Sequence, residues 1–513
     1  MIAAVKQPLL VALALGAAVL VSAAIARRTR IPPPVFLVLA GLVVAVIPGV
    51  QEIRLPPDVV FYGFLPPLVY AAAFLTAPRE ARANWAPILL LALGLTAATL
   101  LAVGFAAWAA IASLGAGSAF VLGSILGATD PVSATTVMGA TSTPERLRTI
   151  LEGESLVNDG IALVAFSIAL SAAEHGRISV GGGVLKFLQL SVGGVAFGIA
   201  VAFLVEHIRR RIHDTEIEIS TSILTPYLAY IPADRLHLSG ILATVACGVY
   251  LGWRSGGVFR PEVRLQSIVF WDIFTFVLNS VLFLLLGTQF RAVLHGLGGY
   301  SRWSLVWYAL LVFGVVVAVR FAWMFTVPVV EARLLGRGTE SWRDRFVLSW
   351  SGMRGALSLA AALSVPVTVA HRQEILFLTF TTILATLVVL AIPLPWLLDW
   401  LGFGGSQAER ALRARRRVTE SALERLEELE AEQAAPSDVV AGVRRLYEAR
   451  LARLDARLDP DSGGDAVHLR VRRELLAAER RTLDRLEREG ELDYSSARAI
   501  ERQLDLEETA LRA

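Results

Sequence analysis

Residues 153–160 read Gly-Glu-Ser-Leu-Val-Asn-Asp-Gly. Glu154 and Asp159 are acids in a strongly apolar stretch, Leu151 to Glu174, that carries no basic residue. A carboxylate at the centre of a bilayer costs roughly 2.5–3.5 kcal/mol, so one kept there has a partner or a task. On a helix, Ser155 and Asp159 stand one turn apart and share a face. Glu154 and Asn158 form a second such pair, rotated by about 100°. The first face offers hydroxyl and carboxylate oxygens, the donors that hard cations prefer. The second offers Glu154 to an arginine, with Asn158 to brace it. This assigns Asp159 as carrier of a cation and a proton and Glu154 as a structural acid. Spacing alone leaves the reverse assignment open.

Further ionisable residues lie inside apolar segments. They are Asp130 in Thr129-Asp130-Pro131, Arg320, and Arg354 in Ser351-Gly-Met-Arg-Gly-Ala356. With Glu154 and Asp159 they make five charges, which unpaired would cost about 12–17 kcal/mol. Three acids and two arginines offset one another and leave one acid over. Arg320 is the preferred partner of Glu154. Around Asp130 the helix should break: Gly123, Gly127 and Pro131 fall four apart, and the Pro131 ring crowds the carbonyl of Gly127. Gly352, Gly355 and Pro366 interrupt a later segment in the same way. Carbonyls freed at membrane depth must line a cavity or find partners. Two interrupted helices in corresponding halves of a chain point to the binding site of an inverted-repeat transporter. Asp130 could then face the amide end of a half-helix and Arg354 a carbonyl end. The plainer alternative is that these residues only kink packed helices.

The elements that hold these residues are membrane helices. Of 513 residues 55% are hydrophobic, and the mean hydropathy is +0.59, well above the range of soluble domains. Apolar runs long enough to span a ~30 Å core recur at 8–26, 32–49, 58–77, 85–113, 117–139, 149–173, 182–208, 216–231, 236–253, 267–288, 301–330, 344–368 and 373–401. These predict an all-α polytopic membrane protein of about thirteen spans. The span at 216–231 is the weakest, being short and containing Glu218 and Pro226. With the N-terminus outside, the inner loops hold about seventeen Lys and Arg against about eight outside, which places the C-terminus in the cytoplasm. The first apolar run reads as a retained helix rather than a cleaved signal.

Composition changes sharply near Gly405. A membrane domain, 1–403, gives way to a cytoplasmic tail, 404–513, rich in Arg, Glu, Ala and Leu. Leu423, Leu426 and Leu429 have helical spacing, and breaks at Pro436 and at 459–464 divide the tail into about three helices. The tail is either a solvated appendage or a regulatory, dimer-stabilising coiled coil.

Other functions find little support. A net charge of +3 gives no footing for nucleic acid. Cys247 is the sole cysteine, which excludes an intrachain disulfide or a cysteine metal cluster. No nucleophile–base pair marks an enzyme, and no cofactor motif is present. Asp272 sits near a cytoplasmic helix end and reads as a surface acid.

Together, Thr129-Asp130-Pro131, Gly153-Glu-Ser-Leu-Val-Asn-Asp159, Asn279-Ser-Val-Leu-Phe283, Arg320 and Gly352-Met-Arg-Gly-Ala356 resemble the cation:proton antiporter family of sodium/proton exchangers, its bacterial members most of all. The resemblance covers about residues 10–400. It implies a thirteen-helix homodimer in the bacterial plasma membrane, elevator-like alternating access and a role in pH homeostasis. Asp159 would be the carrier, with Ser155 and the Thr129 backbone or hydroxyl as co-ligands for Na⁺, K⁺ or Li⁺. Asn158, Glu154, Arg320, Asp130 and Arg354 would stabilise the site. An electrogenic branch has a second aspartate where Asn158 stands, so electroneutral one-for-one exchange is expected. Many relatives carry an acid where Leu65-Pro-Pro-Leu-Val-Tyr-Ala71 ends in Ala71. A cation channel or a non-transporting ion or pH sensor of the same fold remains the alternative.

Overall fold

A computed structural model describes residues 16–47, 55–175, 180–258, 261–297, 301–334, 341–404, 407–432, 437–458 and 474–486, apart from isolated positions within them, together with residues 500 and 504. Residues 8–15 and 23 of the first expected span, and the tail breaks at Pro436 and 459–464, lie outside the described residues. The chain divides into two compact units, Met1–Gly404 and Gly405–Ala513. Among the described residues every regular element is helical.

Eight helices position the site: α1 (Leu65–Leu75), α2 (Ala116–Ile125), α3 (Val132–Ala140), α4 (Glu145–His175), α5 (Pro261–Thr288), α6 (Arg302–Leu334), α7 (Trp342–Trp350) and α8 (Ala356–Leu363). The breaks fall where glycine and proline place them. α2 and α3 are separated by residues 126–131, and α7 and α8 by residues 351–355. The weak span at 216–231 is a helix, Thr215–Arg235. Its N-terminus is capped by the Asp214 carboxylate, which accepts from the amides of Glu216 and Ile217 at 2.9 and 3.1 Å.

By length and apolarity alone, six helices among the described residues can cross a membrane: Trp85–Ala110, Glu145–Glu174, Gly181–Arg209, Gln266–Leu294, Arg302–Val327 and Arg372–Trp400. Several other expected spans fall short for a physical reason. Those at 117–139 and 344–368 are each two half-helices, and others, such as Pro33–Val46, are brief.

Prolines shape the spans in a second way. Residues Val59–Phe64, Leu90–Leu95 and Thr386–Ala391 form π-helical turns. Each lies close to prolines: Pro66 and Pro67, Pro87, and Pro393 and Pro395. Proline removes a donor and crowds the carbonyl four residues earlier, which falls within the first and third of these turns, whereas Pro87 precedes the second. Trp85, Trp108, Trp303 and Trp400, near helix ends, are 64, 53, 84 and 70% exposed, as expected of an aromatic girdle at lipid interfaces.

In the second unit, Gln407–Ala431 and Ser437–Leu458 form an antiparallel pair. Arg416 binds Asp455 at 2.6 Å, and Arg444 binds Glu430. Leu423, Leu426 and Leu429 are half-buried.

Candidate functional site

The site forms where the two helix breaks meet α4. The breaks hold each other. The Asp130 amide donates to the Met353 carbonyl at 2.9 Å. Arg354 Nη1 donates to the carbonyls of Gly127 and Ala128 at 3.0 and 2.7 Å, just beyond the carbonyl end of α2. Asp130 Oδ1 accepts from the Val132 amide at 2.9 Å, at the start of α3. Each charge therefore faces the end of a half-helix dipole that complements it. Ser358 Oγ donates to the Ile125 carbonyl at 3.0 Å, which ties α8 to α2. This close crossing explains two glycines. A Cβ on Gly355 would collide with the Asp130 carboxylate, and one on Gly352 with the Arg320 side chain.

Glu154 and Arg320 form a bidentate pair, Nη1 to Oε1 at 2.6 Å and Nη2 to Oε2 at 2.8 Å. The two side chains are 1% and 2% exposed. Arg320 Nε also donates to the Leu348 carbonyl at 2.9 Å. One guanidinium thus joins α4, α6 and α7, using the fixed fork that suits arginine to such sites.

Thr129 is gripped by the neighbouring turn of α4. Its hydroxyl accepts from Asn158 Nδ2 at 2.6 Å and donates to Glu154 Oε1 at 3.3 Å. Its amide donates to Asn158 Oδ1 at 3.5 Å, and its carbonyl accepts from Ser155 Oγ at 2.8 Å. The hydroxyl is therefore engaged in bracing as both donor and acceptor, whereas the carbonyl accepts from Ser155. Asn158, 1% exposed, braces the break rather than lining the cavity.

Asp159 differs from all of these. It lines a cavity of about 240 Å³ with Thr129, Asp130, Ser155, Asn279 and Ala71. No hydrogen bond or ion pair to it is seen among the described residues, and its charged neighbours are Asp130 and Glu154, both acids. The charge count therefore needs correcting. Only Glu154 has an arginine partner at the site, because Arg354 is engaged by backbone carbonyls. Among the described residues two carboxylates, not one, remain without an arginine, and a single amide partly compensates Asp130. Counting formal charges missed this because helix ends carry partial charges of their own.

The cavity opens at one end. Its exposed lining residues, Ala72 and Leu75, lie at the C-terminal end of α1, and partly exposed Glu152 lies in the early turns of α4. A second cavity, of about 240 Å³, is lined by Asp58, Phe61 and Tyr62 ahead of α1 and by Leu163, Val164, Phe166 and Ser167 further along α4, with Asp234 and Ser364. Leu65, Val69, Leu156, Tyr230, Ile241 and Leu357, all buried, form an apolar cluster that borders both cavities. Asp159 lines the first of these cavities and not the second. Sequence reasoning passed over Glu152 and Thr275, which also line the first cavity. Glu152 lies three residues before Ser155 and seven before Asp159, a helical stripe that would have revealed it.

The comparisons agree with this architecture. Residues 15–400 match the family described as "Sodium/hydrogen exchanger, transmembrane". The chain is 34% identical to a Na⁺/H⁺ exchanger of Mycobacterium tuberculosis over 98% of this chain and 96% of that protein. It is 31% identical to the Na⁺/H⁺ antiporter ApNhaP of Aphanothece halophytica, covering 83% and 81% of the two chains. Among solved structures, the sodium proton antiporter MjNhaP1 of Methanocaldococcus jannaschii superimposes with a TM-score of 0.61 at 20% identity, over 77% of this chain and 99% of that one. That last likeness concerns the fold alone. The family match over the whole membrane unit and the near full-length relatives lead to one conclusion: the protein belongs to the sodium/hydrogen exchanger family of membrane antiporters.

Proposed function

We propose that the protein exchanges one monovalent cation, Na⁺ foremost with K⁺ or Li⁺ admitted, for one H⁺ at Asp159. The observation that carries this reading is a carboxylate without a partner in a cavity open at one end. Competition of cation and proton for that carboxylate couples the two fluxes. Ser155 and the Thr129 carbonyl supply the nearest further oxygens. Asn158, Glu154, Arg320, Asp130 and Arg354 hold the geometry and carry no ion. With Asn158 neutral and Asp130 engaged by the Val132 amide, one carboxylate titrates per cycle and the exchange is electroneutral. No cofactor takes part.

The same reading gives thirteen spans with inverted repeats, a homodimer in the bacterial plasma membrane and N-out, C-in topology. Residues 404–513 are then a cytoplasmic tail, and the physiological role is pH homeostasis. Alternating access proceeds by an elevator-like displacement of the crossed breaks against α1 and its neighbours. The apolar cluster between the two cavities is the barrier across which access switches.

The test is reconstitution into vesicles with a lumenal pH dye. Na⁺ gradients should drive a pH change in the wild type and none in Asp159→Asn. Full exchange by Asp159→Asn would overturn the assignment. Cation flux without proton movement would instead mark a channel.

A further inference from the structure

The cavity that holds Asp159 has a mouth built from residues the exchange chemistry does not use. On α4, Glu152, Ser155 and Asp159 all line it. Their spacing puts them on one stripe, with Glu152 about 10 Å outward from Asp159 along the helix axis. On α5, Thr275 and Asn279 line the facing wall, and exposed Asp272 lies one turn further out.

Glu152 is not bare. Arg148 Nε donates to its Oε1 at 2.8 Å, with the two side chains 38% and 32% exposed. Arg148 also lies within electrostatic reach of Glu145 and Asp272, and its Nη1 passes close to Gly139 at the end of α3. The first carboxylate on the path to Asp159 is therefore covered by a tethered cation with other acids nearby to receive it. A half-exposed pair of this kind is weak, on the order of 1 kcal/mol or less, so an incoming ion can displace it. Arginine stays charged at every working pH, so the cover is not removed by titration.

We propose that Arg148 and Glu152 form a displaceable gate, in which Glu152 docks the incoming monovalent cation and Arg148 competes for the same carboxylate. This rests on Asp159 being the carrier. The gate sets the apparent cation affinity at this face and leaves the turnover step to the inner site. Its signature is a pair of opposite effects. Removing Glu152 withdraws the docking charge, whereas removing Arg148 uncovers it.

The experiment measures Na⁺-driven exchange by the full-length protein in vesicles, with Na⁺ added at the face bearing Arg148. Glu152→Gln should raise KM about three- to tenfold and Arg148→Gln should lower it by up to about fivefold, both with maximal rates near wild type. The double variant should match Glu152→Gln, because Arg148 acts only through Glu152. Glu152→Asp should return KM towards wild type. Raising ionic strength from about 20 to about 200 mM with choline chloride should shrink all these differences. KM shifts of the same sign in the two single variants, or a fall in maximal rate alone, would overturn the gate in favour of a packing role. If Arg148→Gln does not fold, the neutral Arg148→Met replaces it, and a KM no lower than wild type overturns the gate. Wild-type exchange lost in Asp159→Asn, with KM unmoved in both gate variants, refutes the gate and keeps the carrier. Exchange retained in Asp159→Asn refutes both.

Discussion

Glu154→Gln separates structure from transport at this site. The substitution preserves shape and removes one charge. Arg320 would keep its bond to the Leu348 carbonyl and could keep one bond to the glutamine oxygen. Its second bond, now 2.8 Å to Oε2, would face an amide nitrogen instead. The guanidinium is 2% exposed, so water cannot make up the loss. Breaking one side of a buried ion pair costs about 3–5 kcal/mol, and the retained hydrogen bond puts this case near about 3 kcal/mol. Thermal unfolding in detergent, followed by the size-exclusion yield of dimer or monomer, should register that loss. The KM for Na⁺ in surviving protein should change less than about twofold, because Glu154 does not line the cavity. Arg320→Gln should cost a similar amount. The double variant should be more stable than the sum of the two losses, with a coupling of about 2 kcal/mol or more. A Glu154→Gln protein with wild-type melting and a strongly altered cation affinity would refute the reasoning and exchange the roles of the two acids.

Three further outcomes follow from the same geometry. Gly355→Ala should push the Asp130 carboxylate aside and cost about 1–3 kcal/mol of stability, read as a lower melting temperature with reduced exchange. Thr129→Val removes a hydroxyl that serves both Asn158 and Glu154; it should be destabilised by about 1–3 kcal/mol, while Thr129→Ser should melt like wild type. Ala71→Asp adds a carboxylate to the cavity wall and should lower the KM for Na⁺ by about tenfold, which an unchanged concentration dependence of exchange would contradict.

Much of the site could be read from the chain because bilayers make charge conspicuous. Asp130, Glu154, Asp159, Arg320 and Arg354 stand out by being where they are costly, and the breaks announce themselves through glycine and proline. The partners of those charges were harder to read. That Arg354 serves the carbonyls of Gly127 and Ala128 depends on two remote segments crossing, and no local spacing encodes it. The same holds for Leu348, whose carbonyl anchors Arg320. The engagement of the Thr129 hydroxyl needed the positions of Asn158 and Glu154 together. Glu152 was missed for a different reason: it lies at the start of the span 149–173, where an acid is cheap, and only its helical register with Ser155 and Asp159 marks it. The π-helical turns lie near prolines, but nothing in the sequence separates such a turn from an ordinary kink.

The apolar cluster around Leu156, Tyr230, Ile241 and Leu357 gives the protein an electrical property. On the exchange proposed above it would act as a thin insulator between the two cavities, and the tightness of coupling would depend on it as much as on the carboxylate. Every ion that crosses without a counter-ion is a leak, and the leak grows with the polarity of this layer rather than with the strength of ion binding. A single hydrophilic side chain there, at Leu156 for instance, would short-circuit the membrane while leaving the chemistry at Asp159 intact.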